Sequence, residues 1–125
     1  MVKGKITKEI GAAPEKHEQR TTDVLALAGF DVVFLVPIPG QKTPDIKMSN
    51  LKWEIKCPKG KGKHLIHNTV HRAAAQSSNI IVDLYRIKIP EAKVLVGIVK
   101  YSNELKNIKR VKVIDKSRKI IDLKK

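Results

Sequence analysis

The sequence predicts an α/β domain, a mixed central sheet flanked by helices with a C-terminal helix and hairpin. Three observations carry that prediction. Short β-branched runs at residues 30–36, 51–56 and 79–84 alternate with segments of helical period at 15–28 and 64–76. Proline and glycine fall at the joins between these runs and not inside them. The chain has 125 residues, enough for one domain with a sizeable core and too few for two.

Residues 1–13 hold Gly4 and Gly11 and little periodicity, so they read as a loosely structured or weakly strand-like lead-in to a single domain spanning 1–125. Pro14 opens a helix, where its missing N–H costs nothing. Val24, Leu25, Leu27 and Ala28 form its apolar stripe, and Gly29 stops it. Residues 30–36 are a buried-type strand ended by Pro37, Pro39 and Gly40. Residues 43–56 read as a hairpin turning at Ser49 and Asn50, without the usual glycine. In its second arm Leu51, Trp53 and Ile55 take one face, and Lys52, Glu54 and Lys56 the other. A flexible basic loop at 58–63 precedes a helix over 64–76 and a strand over 79–84. Residues 90–105 read as a helix with Ala92, Leu95, Val96 and Val99 on one face, although Gly97 and the β-branched content leave a strand open. The tail is a hairpin turning at Lys116 to Arg118.

Charge narrows the functional classes. Lys and Arg number 26 against 12 Asp and Glu, a formal charge of +14. Such a surface attracts polyanions at a distance, nucleic acid foremost. The single cysteine, Cys57, excludes an intrachain disulfide and a cysteine zinc cluster. The apolar runs, such as 32–36, are far too short to span a bilayer, and the charged first eight residues are no secretory signal, so no membrane partner is expected. With only one Trp, two Tyr and two Phe, single-strand binding by base stacking has little support.

The sharpest local pattern is Pro44-Asp45, eight residues, then Glu54-Ile55-Lys56. Alternation puts Glu54 and Lys56 on one face, and the hairpin brings Asp45 alongside. Two carboxylates converging at a sheet edge can hold a hard divalent cation such as Mg²⁺ (or Mn²⁺), and an adjacent lysine can offset phosphate charge. That is equipment for metal-assisted phosphodiester hydrolysis. The alternative is a turn aspartate beside two solvent-facing charges.

Lys59, Lys61 and Lys63 alternate with Gly60 and Gly62 directly after this strand, a composition suited to a phosphate backbone, without the spacing of a P-loop. His64, His67 and His71 share one helical face, where a role toward substrate beside Lys63 and Arg72 is expected over a zinc site. If the target is RNA, one of them has a use as acid or base, since the ribose 2′-hydroxyl is an available nucleophile. Cys57 and Trp53 are expected in the core.

In these residues the chain resembles the PD-(D/E)XK nuclease superfamily, and the order of elements from Glu15 to Leu84 is similar to its core. More closely, Thr43-Pro44-Asp45, Lys52-Trp53-Glu54-Ile55-Lys56, the Gly/Lys loop, the alanine-rich helix ending Gln76-Ser77-Ser78-Asn79 and the strand after it resemble the C-terminal tRNA-nuclease domains of contact-dependent growth inhibition toxins. The resemblance implies a restriction-endonuclease-like fold and a metal-dependent endonuclease, with tRNA favoured over DNA. It implies that Asp45, Glu54 and the Ile55 carbonyl bind the metal, and that Lys56 positions or helps deprotonate water. It implies a further acid on the first helix, Glu18 or Glu15; Glu18 is preferred, because Thr22 and Leu25 fall on its face. It also implies a polar Gln76 near the site, the other reading being a solvated helix end. Action in the bacterial cytoplasm, delivery from a neighbouring cell within a larger secreted toxin, and an acidic immunity protein follow from it. Two other readings stand beside it: a DNA endonuclease of a phage or mobile element using the same residues, and a basic nucleic-acid-binding module without catalysis.

Overall fold

A computed structural model describes residues 2–125. Ten elements follow one another: β1 (Ile6–Lys8), α1 (Lys16–Leu27), β2 (Val32–Phe34), β3 (Ile46–Met48), β4 (Leu51–Lys56), α2 (Leu65–Ala74), β5 (Asn79–Asp83), α3 (Glu91–Glu104), β6 (Arg110–Ile114) and β7 (Ile120–Lys124). The strands form one sheet in chain order, so every connection joins neighbours. The pairs β1/β2, β4/β5 and β5/β6 are parallel, and each is bridged by a helix. The other pairs are antiparallel and joined by turns or a loop. This division is what the two ladder types demand, since only antiparallel strands close through a tight turn.

Two apolar cores lie on opposite faces of the sheet. Ile80, Val82, Val111 and Val113 point to one, with Val70 and Ala73 of α2 and Val94 and Ile98 of α3. Ile81, Ile114, Trp53 and Ile55 point to the other, with Leu25 of α1 and Cys57. β5 is buried along its whole length, as expected of a strand covered on both faces. Cys57 and Trp53 are core residues, and the Trp53 indole N–H donates to the Met48 carbonyl at 3.0 Å. Ser49 and Asn50 have φ of 55° and 61°, so the hairpin closes through two left-handed residues without glycine.

Several expectations change in detail. The lead-in supplies a real edge strand, β1, because Gly4 passes directly over the α1–β2 corner. Its N–H donates to Ala26 at 2.7 Å, and a Cβ there would lie 1.9 Å from the Phe30 carbonyl oxygen. Pro14 precedes the cap, Glu15, and is not the first helical residue. The buried face of α1 is Thr21, Thr22, Leu25 and Ala26, while Leu27 is exposed. The stripe was displaced because two threonines, polar in composition, carry half of it. Likewise α3 buries Val94, Ile98 and Ser102 and exposes Val96 and Val99. Gly97 is compatible with this helix since it faces α2, where a Cβ would come within 3.0 Å of Ile66. The basic loop is also less free than expected. Gly60 bridges to Ile87, and its carbonyl accepts the Lys88 N–H at 2.7 Å.

Candidate active site

β3 and β4 build the floor of the site. Their ladder ends at Ile46 opposite Trp53, so the Ile55 N–H lies beyond Ile46, the first residue of β3. The Asp45 side chain takes its place, accepting that N–H at 2.8 Å. The Asp45 backbone is held as well, donating to Trp53 and accepting from Leu35, each at 3.0 Å. Asp45 is thus fixed by the ends of two strands.

Glu54 faces α2, and at 6% exposure it is not a solvent-facing charge. Its Oε2 lies 3.3 Å from Lys56 Nζ, as expected for side chains two apart on a strand. Its Oε1 is buried with no partner among the described residues. Glu18 reaches the same place from the first turn of α1. Its Oε1 accepts the Glu15 N–H at 2.9 Å, half of a capping box. Burial pushes the Glu18 carboxyl up to about 7, opposed by the Glu15 N–H and reinforced by Asp45. Burial, then the charge of Glu54, pushes Asp45 up to about 6. Glu54 is also raised by burial, against the pull of Lys56. Three carboxyls thus share one desolvated corner with one close ammonium, the crowding that a bound cation relieves.

A cleft of about 460 Å³ opens above them. Its walls carry Glu18, Asp45, Glu54, Ile55 and Lys56 together with Lys59, Arg72 and Arg86. It is an acidic floor inside a basic rim. The donor set suits a hard divalent cation: two carboxylates, one with a buried oxygen lacking a protein partner, and an adjacent carbonyl at Ile55. Among the described residues no three His, Cys, Asp or Glu side chains stand ready as a complete metal cage. Mg²⁺ needs none, since it is commonly held by one or two carboxylates and keeps several waters.

The structure brings Glu18, Asp45, Glu54, Ile55, Lys56, Lys59 and Arg72 to one cleft. Lys61 and Lys63 are exposed in the adjoining loop, outside the cleft lining. His67 and His71 do not face the cleft as expected. Their rings stack at 4.0 Å, and His67 meets Tyr101 of α3 edge-on at 5.0 Å, so the histidine face packs between helices. The cleft side of α2 is instead Leu65, Thr69 and Arg72. Gln76 lies past the end of α2 and outside the lining. Arg86 was missed. It follows β5, whose parallel pairing with β4 sets both strand exits side by side. The tendency of α/β sites to gather at the carboxyl ends of parallel strands was the available signal.

The chain is thus an α/β sheet domain with a carboxylate-floored, cation-rimmed cleft at its strand exits. Residues 42–120 match the family model of the contact-dependent growth inhibition CdiA C-terminal domain, and the chain belongs to that family. Its fold is similar to a chain of the CdiA-CT/CdiI toxin and immunity complex from Burkholderia pseudomallei, with a TM-score of 0.69 and 23% identity over 98% of this chain and 100% of that one. No curated protein sequence matches it.

Proposed function

We propose that this domain is a metal-dependent nuclease of the PD-(D/E)XK type that cleaves tRNA as a growth-inhibiting toxin. The observation that carries the reading is the convergence of Asp45, Glu54, Lys56 and Glu18 at the floor of a cleft rimmed by Lys59, Arg72 and Arg86. Asp45, Glu54 and the Ile55 carbonyl would hold a Mg²⁺ or Mn²⁺ ion, which supplies Lewis acidity and a nucleophile at neutral pH. Lys56, held by Glu54 at 3.3 Å, offsets the charge that builds on the attacked phosphate. Glu18, raised to about 7, is poised to accept or return a proton near neutral pH. Lys59 and Arg72 grip flanking phosphates.

As a member of a growth-inhibition toxin family, the domain is expected to act in the cytoplasm of a target bacterium, delivered as part of a larger protein. The solved relative is described as a complex with an immunity protein. By the same reading this chain takes an acidic one that covers the Lys59 to Lys63 loop and the cleft, steered by the charge of +14. The test is incubation of the pure protein with total tRNA and, in parallel, duplex DNA, with Mg²⁺ and with chelator. Metal-dependent tRNA fragments at a defined position are expected. Cleavage of DNA alone assigns the chain to the DNA endonucleases, and cleavage of neither in the presence of metal overturns the reading.

A further inference from the structure

At the edge of the cleft, the turn after β5 gathers an arginine cluster that extends from the rim residue Arg86 to Arg20 and Arg118, two residues outside the cleft lining. The Arg20 guanidinium lies 4.7 Å from the centre of the Tyr85 ring, Arg118 lies 5.5 Å away and Arg86 5.8 Å. The three do not have the same work. Arg118 is committed, with its two terminal nitrogens on the Asp83 carboxylate at 2.7 and 2.8 Å. Arg20 and Arg86 form no ion pair with any carboxylate among the described residues. Arg86 donates through Nη2 to the Cys57 carbonyl, while its Nε is buried without a partner. It also lines the cleft, so it belongs to both places.

A guanidinium held over an aromatic face keeps in-plane N–H groups for an oxyanion, and here these are the N–H groups of Arg20 and those of Arg86 that neither bond Cys57 nor are buried. Tyr85 thereby holds two cations at fixed positions, where flexible arginines would lose side-chain entropy on binding. The backbone that carries the ring is tied to the same carboxylate that holds Arg118: the Tyr85 main-chain N–H donates to Asp83 at 3.1 Å. With Asp83 neutralised by Arg118, the free charge of the patch is positive.

We infer that Arg20 and Arg86, oriented by Tyr85, form a second phosphate-binding station for the polynucleotide, one that receives the strand as it leaves the cleft. This inference rests on the nuclease reading and extends it. The station grips phosphodiester groups without reading bases, since the ring it contains is engaged by guanidinium groups.

The test measures binding of total tRNA in chelator across a salt series, so that cleavage does not intervene. Each phosphate contact adds roughly 0.7–0.9 to the slope of log affinity against log salt. Arg20→Ala is expected to reduce the slope by about that amount, and the Arg20→Ala/Arg86→Ala pair by about twice it. Tyr85→Leu should weaken binding and Tyr85→Phe should restore it, because the ring and not the hydroxyl orients the arginines. Arg20 is exposed, so its variant is a fair test even if Arg86→Ala disturbs the Cys57 turn. An unchanged slope in Arg20→Ala, with wild-type protein binding tRNA steeply, overturns this inference and leaves the nuclease reading intact. That same result is what a patch serving an acidic protein would give. Absence of any tRNA binding by wild-type protein overturns both.

Discussion

Two acidic centres sit on opposite faces of the sheet and are treated in opposite ways. Asp83 is fully buried, and every part of its carboxylate is used: Thr21 donates at 2.7 Å, Tyr85 N–H at 3.1 Å, and Arg118 doubly. Glu54 is almost as buried, yet one of its oxygens has no partner, its lysine is 3.3 Å away, and two more carboxyls crowd it. Asp83 ties α1 to the C-terminal hairpin; Thr21 also lies 3.4 Å from Cys57 Sγ, one residue past the β4 end. The contrast teaches that burial alone does not mark a functional carboxylate. A satisfied one holds the fold, whereas an under-satisfied one stores unfavourable energy that a ligand can release.

The largest effect that sharpens this comparison is on activity. Glu54→Ala and Lys56→Ala should each lower tRNA cleavage by orders of magnitude, and the double variant should lose little more, because the groups act as one unit. Initial rates with matched circular dichroism spectra check this. At the other centre the effect should fall on stability. Asp83→Ala removes the acceptor of the buried Thr21 hydroxyl and unpairs the partly exposed Arg118, and should cost about 1–3 kcal/mol of unfolding free energy, read by denaturant titration. A loss of less than about 1 kcal/mol would break the contrast.

Next comes pH. Asp45 and Glu18 have folded-state pKa values raised to about 6 and about 7, above the ordinary carboxylate range. The folded protein therefore holds more protons than the unfolded chain between roughly pH 4 and 7, and stability falls as pH rises through that window. Metal-free protein should melt at a higher temperature at the acidic end of this window than at neutral pH, and added Mg²⁺ should close part of the gap. The smallest effect is at the loop. Lys59→Ala should reduce the salt slope of tRNA binding by about 0.7–0.9, and the triple variant with Lys61 and Lys63 by up to about three times that.

Much of this was legible in the chain because alternation is a local property. Trp53 and Ile55 against Glu54 and Lys56 fixed which residues face the cleft, and the hairpin spacing brought Asp45 beside them. What stayed hidden depends on tertiary neighbours. Threonines at 21 and 22 look polar, but the Thr21 hydroxyl is satisfied by Asp83 and the Thr22 hydroxyl by the Gln19 carbonyl one turn back in its own helix, so both can be buried. His67 and His71 share a face with the right period, but period alone does not say whether that face meets substrate or Tyr101 of α3. Arg86 becomes visible only once β5 is known to lie parallel to β4.

The central claim is that the Asp45 corner is held at a cost in stability for the sake of its chemistry. Asp45→Asn tests it most directly, since the amide keeps the shape, can still accept the Ile55 N–H, and removes one of the crowded charges. Melting temperature at neutral pH without metal and the rate of tRNA cleavage with Mg²⁺ are measured on the same preparation. The account predicts that the melting temperature rises while cleavage falls by orders of magnitude. Cleavage at the wild-type rate by the folded variant, or a melting temperature that falls together with the activity, would contradict it.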